Sequence, residues 1–275
     1  MEARWLVEEV SGDARGEWEG PATARGAGRL SVMVDRRLQG EPLQYVLGHW
    51  QFRHLDLMLD RRVLIPRPET EVVAEVALAE AERAGARRGA DPWGGMQPTF
   101  AVADLGTGSG ALGLALAVEL PEAAVWATDS SPEALAVASA NLVGIGMAAT
   151  RVRLAAGMWY EALPQELRGR LRVIVSNPPY VADAEYDTLP TEVRDHEPKG
   201  ALVAGPTGRE CLETLVDGAL AWLEPGGALI LELAPHQAAV LADRAGEAGY
   251  AGVEVHPDLA GRLRVLVAHR PGSGP

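Results

Sequence analysis

From Phe100 to His269 short apolar runs of strand length alternate with amphipathic stretches of helical period, and nothing else in the chain limits the fold so strongly. FAVAD (100–104), AAVWATD (123–129), TRVRL (150–154), LRVIVS (171–176) and GGALILELA (226–234) read as strands. Between and after them ALGLALAVEL (111–120), PEALAVASANL (132–142), GRECLETLVDGALAWL (208–223) and HQAAVLADRAGEAG (236–249) read as helices. Strand–helix alternation of this kind builds an α/β, doubly wound, mostly parallel sheet. The last two runs, AGVEVHP (251–257) and GRLRVLVAH (261–269), are joined only by DLA and predict a terminal antiparallel hairpin.

Ahead of this repeat the pattern is different. Residues 1–44 read as a small helical region: Trp5, Leu6 and Val10 share one face, and Leu30, Met33, Val34 and Leu38 recur with helical spacing. The polar, glycine-rich stretch 12–28 between them reads as a loop or helix–turn. Residues 45–65 read as a β-hairpin connector, with strand-like YVLG, DLMLD and RRVLI separated by Gly48 and by Asp60-Arg61-Arg62. Residues 66–275 form the main domain. It opens with Pro66-Arg67-Pro68-Glu69-Thr70-Glu71, whose prolines and acidic residues suit a first helical turn. That helix ends near Gly85, and 86–98 is a connection without a core-forming pattern.

Composition excludes several classes. No apolar run approaches the ~18 residues that cross a bilayer, and the acidic start MEARWLVEEV is a poor signal peptide. The chain is expected in the cytoplasm, as a monomer. One cysteine, Cys211, rules out an internal disulfide and reads as a small hydrophobe in a helix. The six histidines lack metal-ligand spacing, so no metal site is expected. With 25 Lys and Arg against 38 Asp and Glu the net charge is −13, which disfavours binding to bare duplex nucleic acid.

Two motifs carry chemistry. In DLGTGSG (104–110) Gly106, Thr107, Gly108, Ser109 and Gly110 stand between a strand and its helix, where missing Cβ atoms permit a tight turn and a close ligand. The spacing G-x-G-x-G, preceded by Asp104, suits a cationic amino-acid portion better than a pyrophosphate. S-Adenosylmethionine is therefore the cofactor expected. Asp129 closes the next strand, where a carboxylate can accept both ribose hydroxyls or cap the helix that follows. Trp159, after the third strand, lies where an adenine would, as a flanking ring or as a core residue.

The second motif is Asn177-Pro178-Pro179-Tyr180, directly behind the apolar run Leu171 to Val175. An amide nitrogen is a poor nucleophile, and the motif brings no strong base with it. Positioning serves instead: the Asn177 side-chain oxygen and the Pro178 carbonyl can each accept one N–H of a planar NH₂. Pro178 and Pro179 stiffen the turn, and Tyr180 packs against the flat target. The same four residues would serve a nucleobase amine or a glutamine amide, so a nucleic-acid amino-methyltransferase remains the alternative. An antiparallel pair at the sheet's end separates methyltransferase-type sheets from those of dehydrogenases.

LIPRPETE (64–71), DLGTGSG, SNPPY (176–180) and DHEPKGALVAGPTG (195–208) together resemble the bacterial release-factor glutamine methyltransferases. GEPLQYVLG (40–48) and DLAGRLRVLVA (258–268) are similar to that family too. The resemblance implies methyl transfer from S-adenosylmethionine to the side-chain amide of the glutamine in the Gly-Gly-Gln loop of class-I peptide chain release factors. It implies that Gly106 to Gly110, Asp129, Trp159 and Asn177 touch the cofactor, that Asn177 to Tyr180 hold the glutamine, and that the helical region grips the release factor. Arg67 and Glu69 fall near the site, and Glu197-Pro198 form a wall. Met158 stands where the family usually has Asp, which leaves the adenine amine to a backbone group.

Overall fold

The computed structural model describes residues 2–12, 23–86 and 98–272. Three helices come first: α1 (Glu2–Ser11), α2 (Ala24–Leu38) and α3 (Leu43–Leu47). Leu6, Met33, Leu43 and Val46 form their shared core, with Trp5, Val10 and Leu30 packed against it. Helix α2 begins inside the expected loop because the Thr23 hydroxyl accepts the Gly26 N–H at 3.0 Å, so Ala24 to Gly28 are helical. Residues 13–22 of that loop lie outside the described residues. Leu38 is 80% exposed and Val34 is also exposed: α1 and α3 are short and cover only a narrow stripe of α2.

The connector is a hairpin, but its strands are not those the propensities suggest. Tyr45 to Leu47, expected in a strand, belong to α3, which Gly48 ends at φ 86° in the left-handed region. The strands are β1 (His49–Phe52) and β2 (Leu55–Met58), antiparallel. Val63 to Ile65 pair with no strand; Val63 and Ile65 are buried in the main core instead. Helix α4 (Pro68–Ala86) follows. The connection expected at 86–98 falls almost wholly outside the described residues.

The sheet comprises β3 (Phe100–Leu105), β4 (Ala123–Asp129), β5 (Val152–Ala156), β6 (Leu171–Ser176), β9 (Leu223–Glu232), β10 (Gly252–Pro257) and β11 (Leu263–His269). Between β6 and β9 the short strands β7 (Val181–Ala182) and β8 (Val203–Gly205) pair in parallel, a feature the sequence pattern did not suggest. Helices α5 (Ala111–Glu119), α6 (Pro132–Gly144), α7 (Thr191–His196), α8 (Glu210–Ala219) and α9 (Ala238–Ala248) complete the elements used below. The strand order is β10-β11-β9-β6-β3-β4-β5, parallel except for the pairs made by β11. Helix α8 stops short of Leu223 because that residue already opens β9.

Alternate residues of the central strands feed two cores. Val102, Val173, Val175, Ile230 and Val267 face α4, α5 and α6, whose Val73, Leu114 and Val137 meet them. Leu105, Ile174, Leu229, Leu231 and Leu266 face α8 and α9, whose Leu212, Leu215 and Leu241 close the other side. Strand β6 is buried along its whole length, between β3 and β9. Neighbouring strands β3, β4, β5, β6 and β9 therefore end at one edge, and the chain after each is delivered to one crevice. Crevices of this kind, beside the strand where the winding reverses, are where doubly wound sheets bind ligands.

Candidate active site

The glycine loop leaves β3 and is tied to β4, since Gly106 and Thr107 both donate N–H to the Thr128 carbonyl at 2.8 Å. Gly106 takes φ 77°, and a Cβ there would stand 3.2 Å from the Trp159 ring. Gly110 at φ 90° caps α5, and a Cβ there would come within 2.8 Å of Leu114. Asp104, 1% exposed, lies under the loop. Its Oδ2 accepts from Thr107 Oγ1 at 2.6 Å and from Gly113 N at 2.8 Å, whereas its Oδ1 is buried with no partner among the described residues. Burial pushes this carboxyl up to about 7, against the pull of those two donors.

A cavity of about 420 Å³ opens over the loop. Asp104, Gly106, Thr107, Gly108, Ser109, Asp129, Trp159, Asn177 and Pro179 line it, together with Met158 and Cys211. Gly110 does not reach the wall. Asp129 accepts Gly108 N on Oδ2 and Ser131 N on Oδ1, each at 2.9 Å. The cap of α6 is Ser131, whose hydroxyl accepts Ala134 N at 3.1 Å, so the cap role open to Asp129 is filled by another residue. A carboxylate offers about four lone-pair directions, and Asp129 keeps capacity toward the cavity. Trp159 packs on the core behind β3 and is also among the residues that line the cavity. Its φ of 48° is unusual for a bulky residue.

A second cavity of about 180 Å³ adjoins the first. Pro178, Tyr180 and Arg67 line it among apolar neighbours such as Val181, Leu189 and Val193. Asn177 belongs to both walls, as do apolar Leu64 and Ala201, and is thus the polar group at the junction. Its Nδ2 donates to Thr70 Oγ1 at 3.1 Å; Thr70 in turn donates to Glu232 Oε2 at 2.6 Å, and the Tyr180 hydroxyl donates to Glu232 Oε1 at 3.3 Å. Neither Thr70 nor Glu232 was expected in the site. Thr70 lay within a motif whose roles the sequence left open, and Glu232 was visible only as an acidic residue ending an apolar strand.

The remaining expected residues take separate places. Glu197 pairs with Arg67 and is buried, while Pro198 lines the first cavity. Glu69 binds Arg262 of the β10–β11 turn at 2.8 Å, away from both cavities. Asn141 of α6, which sequence reasoning missed, holds Ser109 O at 2.8 Å and both backbone groups of Met58, so the hairpin braces the glycine loop.

Residues 96–193 match the methyltransferase small domain family. A methyltransferase from Pyrococcus furiosus superposes with a TM-score of 0.54 at 18% identity, covering 91% of this chain and 100% of that one. The hMettl16 catalytic domain in complex with MAT2A 3′UTR hairpin 1 gives 0.61 at 14% identity, covering 98% and 91%. Likeness at such identities speaks for the fold alone. The parallel sheet with its terminal antiparallel hairpin is the class I methyltransferase fold. Sequence relatives narrow the class. The release factor glutamine methyltransferase of Moorella thermoacetica is 44% identical over 246 residues, 89% of this chain and 80% of the relative. That of Deinococcus radiodurans is 40% identical over 281 residues, 99% of this chain and 91% of the relative. This chain belongs to the release factor glutamine methyltransferase family.

Proposed function

We propose that the protein transfers a methyl group from S-adenosylmethionine to the side-chain amide nitrogen of the glutamine in the Gly-Gly-Gln loop of class-I peptide chain release factors, supporting translation termination. The observation that carries this is the position of Asn177, at the one polar junction between a large cavity over a glycine loop and a small cavity walled by Pro178 and Tyr180. The large cavity fits the cofactor: Asp104 lines it and has one carboxylate oxygen with no hydrogen-bond partner among the described residues, for which the cofactor's ammonium would be a cationic partner. Asp129 would accept the ribose hydroxyls, the Trp159 ring would flank the adenine, and Gly106 to Ser109 would lie along the chain between.

When bound, S-adenosylmethionine supplies an electrophilic methyl group that bonds to the acceptor nitrogen as its carbon–sulfur bond breaks. Asn177 Oδ1 and Pro178 O would take one N–H each, which fixes the plane of the acceptor amide and aims its lone pair at the large cavity. One of those protons is lost to water after transfer, since an N-alkylated amide cation is strongly acidic. Orientation is the main contribution, and well-aligned reactants gain on the order of 7–11 kcal/mol. Tyr180 would hold the flat face of the glutamine.

Residues 1–44 would dock the release factor, 45–65 would connect, and 66–275 would carry the chemistry, in a monomeric cytoplasmic enzyme. A base amine as acceptor is disfavoured by the net charge of −13 and by the family. Incubation with labelled S-adenosylmethionine and either unmethylated release factor or nucleic acid separates the two. Label in the Gly-Gly-Gln peptide is expected; label confined to nucleic acid refutes the reading.

A further inference from the structure

The two ends of an asparagine amide are nearly equal in size, and a half-turn exchanges its acceptor for its donor. Asn177 can hold an acceptor N–H only if Oδ1, and not Nδ2, faces the substrate. Something in the fold has to decide between the two orientations. We infer that Thr70 and Glu232 do so, as positioning residues that fix the polarity of the Asn177 amide; this deepens, and rests on, the amide-acceptor reading above.

The argument follows the protons. Thr70 Oγ1 has a single hydrogen, and it is given to Glu232 Oε2 at 2.6 Å. Toward Asn177 the same oxygen can therefore only accept. Nδ2 satisfies it at 3.1 Å, whereas Oδ1 in that place would set two acceptors against each other. Glu232, 1% exposed, accepts on its other oxygen from Tyr180 at 3.3 Å. One buried carboxylate thus orders two of the four residues of the acceptor motif, one through Thr70 and one directly. Glu232 lines neither cavity, so it acts only through its neighbours. The groups facing it are Thr70 and Glu69 of α4, Tyr180 behind β6 and Arg264 of β11. Burial raises its carboxyl, against the pull of Thr70, Arg264 and Tyr180. The accepting role rests on geometry, since each of its two oxygens takes a hydroxyl proton, one from Thr70 and one from Tyr180.

Thr70→Val keeps the shape of the side chain and removes the acceptor. We expect its kcat to fall about tenfold or more, with KM for the release factor and cofactor affinity within about threefold. Thr70→Ser should restore most of the loss, and Glu232→Gln, which can offer an N–H to Thr70, should resemble Thr70→Val. Full kcat in Thr70→Val overturns the inference. If the wild type itself leaves the glutamine unmethylated, the acceptor reading has failed instead. Polarity is then measured directly, by the side-chain ¹⁵N–¹H resonances of Asn177: a clear shift between wild type and Thr70→Val sustains the inference, and unchanged resonances overturn it.

Discussion

The guanidinium of Arg67 closes on the carboxylate of Glu197, 130 residues further along the chain. The Glu197 side chain is 1% exposed and that of Arg67 33%. The same carboxylate accepts Ile65 N at 3.2 Å, so one buried charge pins the segment entering α4 to the end of α7, beside the smaller cavity that Arg67 lines. Burial pushes the Glu197 carboxyl up, and Arg67 holds it back. Arg67→Ala removes the counter-charge and leaves the carboxylate buried. At neutral pH this should cost roughly 2–4 kcal/mol of stability, less than a fully buried pair because Arg67 is partly screened. The raised carboxyl favours the fold below its unfolded pKa, and that advantage is lost as pH rises through the folded value. The variant should accordingly recover at acid pH, and Glu197→Gln in the same background should recover at pH 7. Urea midpoints equal to the wild type's at both pH values would sink the pairing argument.

Asp104 supplies a second pH signature. Its carboxyl, pushed up to about 7 by burial, lies well above the ordinary value of about 3.9. A raised carboxyl favours the folded protein below about pH 4, and the advantage is lost as pH climbs through 7. A cation set against the unpartnered Oδ1 demands the charged form. Cofactor binding near pH 6 should therefore release close to one proton and tighten as pH rises toward 7. Calorimetry in buffers of different ionisation enthalpy measures this directly. Asp104→Asn should bind more weakly and release no proton; equal proton release in both proteins would remove Asp104 from the cofactor's ammonium.

Asn141 braces the site from behind. Its side chain bonds Met58 N at 2.7 Å, Met58 O at 3.1 Å and Ser109 O at 2.8 Å, and it is almost wholly buried. Asn141→Ala strands those backbone groups, at an expected cost of about 2–4 kcal/mol. Because one of them belongs to the glycine loop, cofactor affinity should fall as well. Amide exchange should quicken both at Met58 and around Ser109; faster exchange at the hairpin alone would mean that the loop stands without this brace.

What could be read from the chain was local. DLGTGSG and NPPY are each continuous, so their chemistry was on view, and the strand–helix alternation put both at the same edge of the sheet. Thr70 and Glu232 are 162 residues apart and Arg67 and Glu197 130, and no local pattern pairs them. The sheet order brings them together, and only with it does a charge ending the apolar run of β9 acquire a purpose. Tyr45 to Leu47 were misleading for another reason. Tyr-Val suits a strand by propensity, but Pro42 ahead and Gly48 at φ 86° behind enclose one short helix. Gly110 looked like its partners in the loop, yet its missing side chain makes room for Leu114 and not for a ligand.

Asp129 and Asn177 allow binding and chemistry to be separated. Asp129→Ala removes an acceptor from the larger cavity and leaves Gly108 N and Ser131 N without their present partner. Cofactor binding should weaken by roughly 1–3 kcal/mol, the scale of a charge-assisted hydrogen bond. Asn177→Ala leaves the glycine loop, Asp129 and Trp159 in place and removes the group at the junction of the cavities. Turnover should disappear while the cofactor dissociation constant stays within about tenfold, the pattern of an interaction made mainly in the transition state. Titration of each variant with S-adenosylmethionine, beside single-turnover methylation of a release factor, gives both quantities. Normal turnover in Asn177→Ala would refute acceptor positioning. An unchanged dissociation constant in Asp129→Ala would confine that carboxylate to its two backbone bonds.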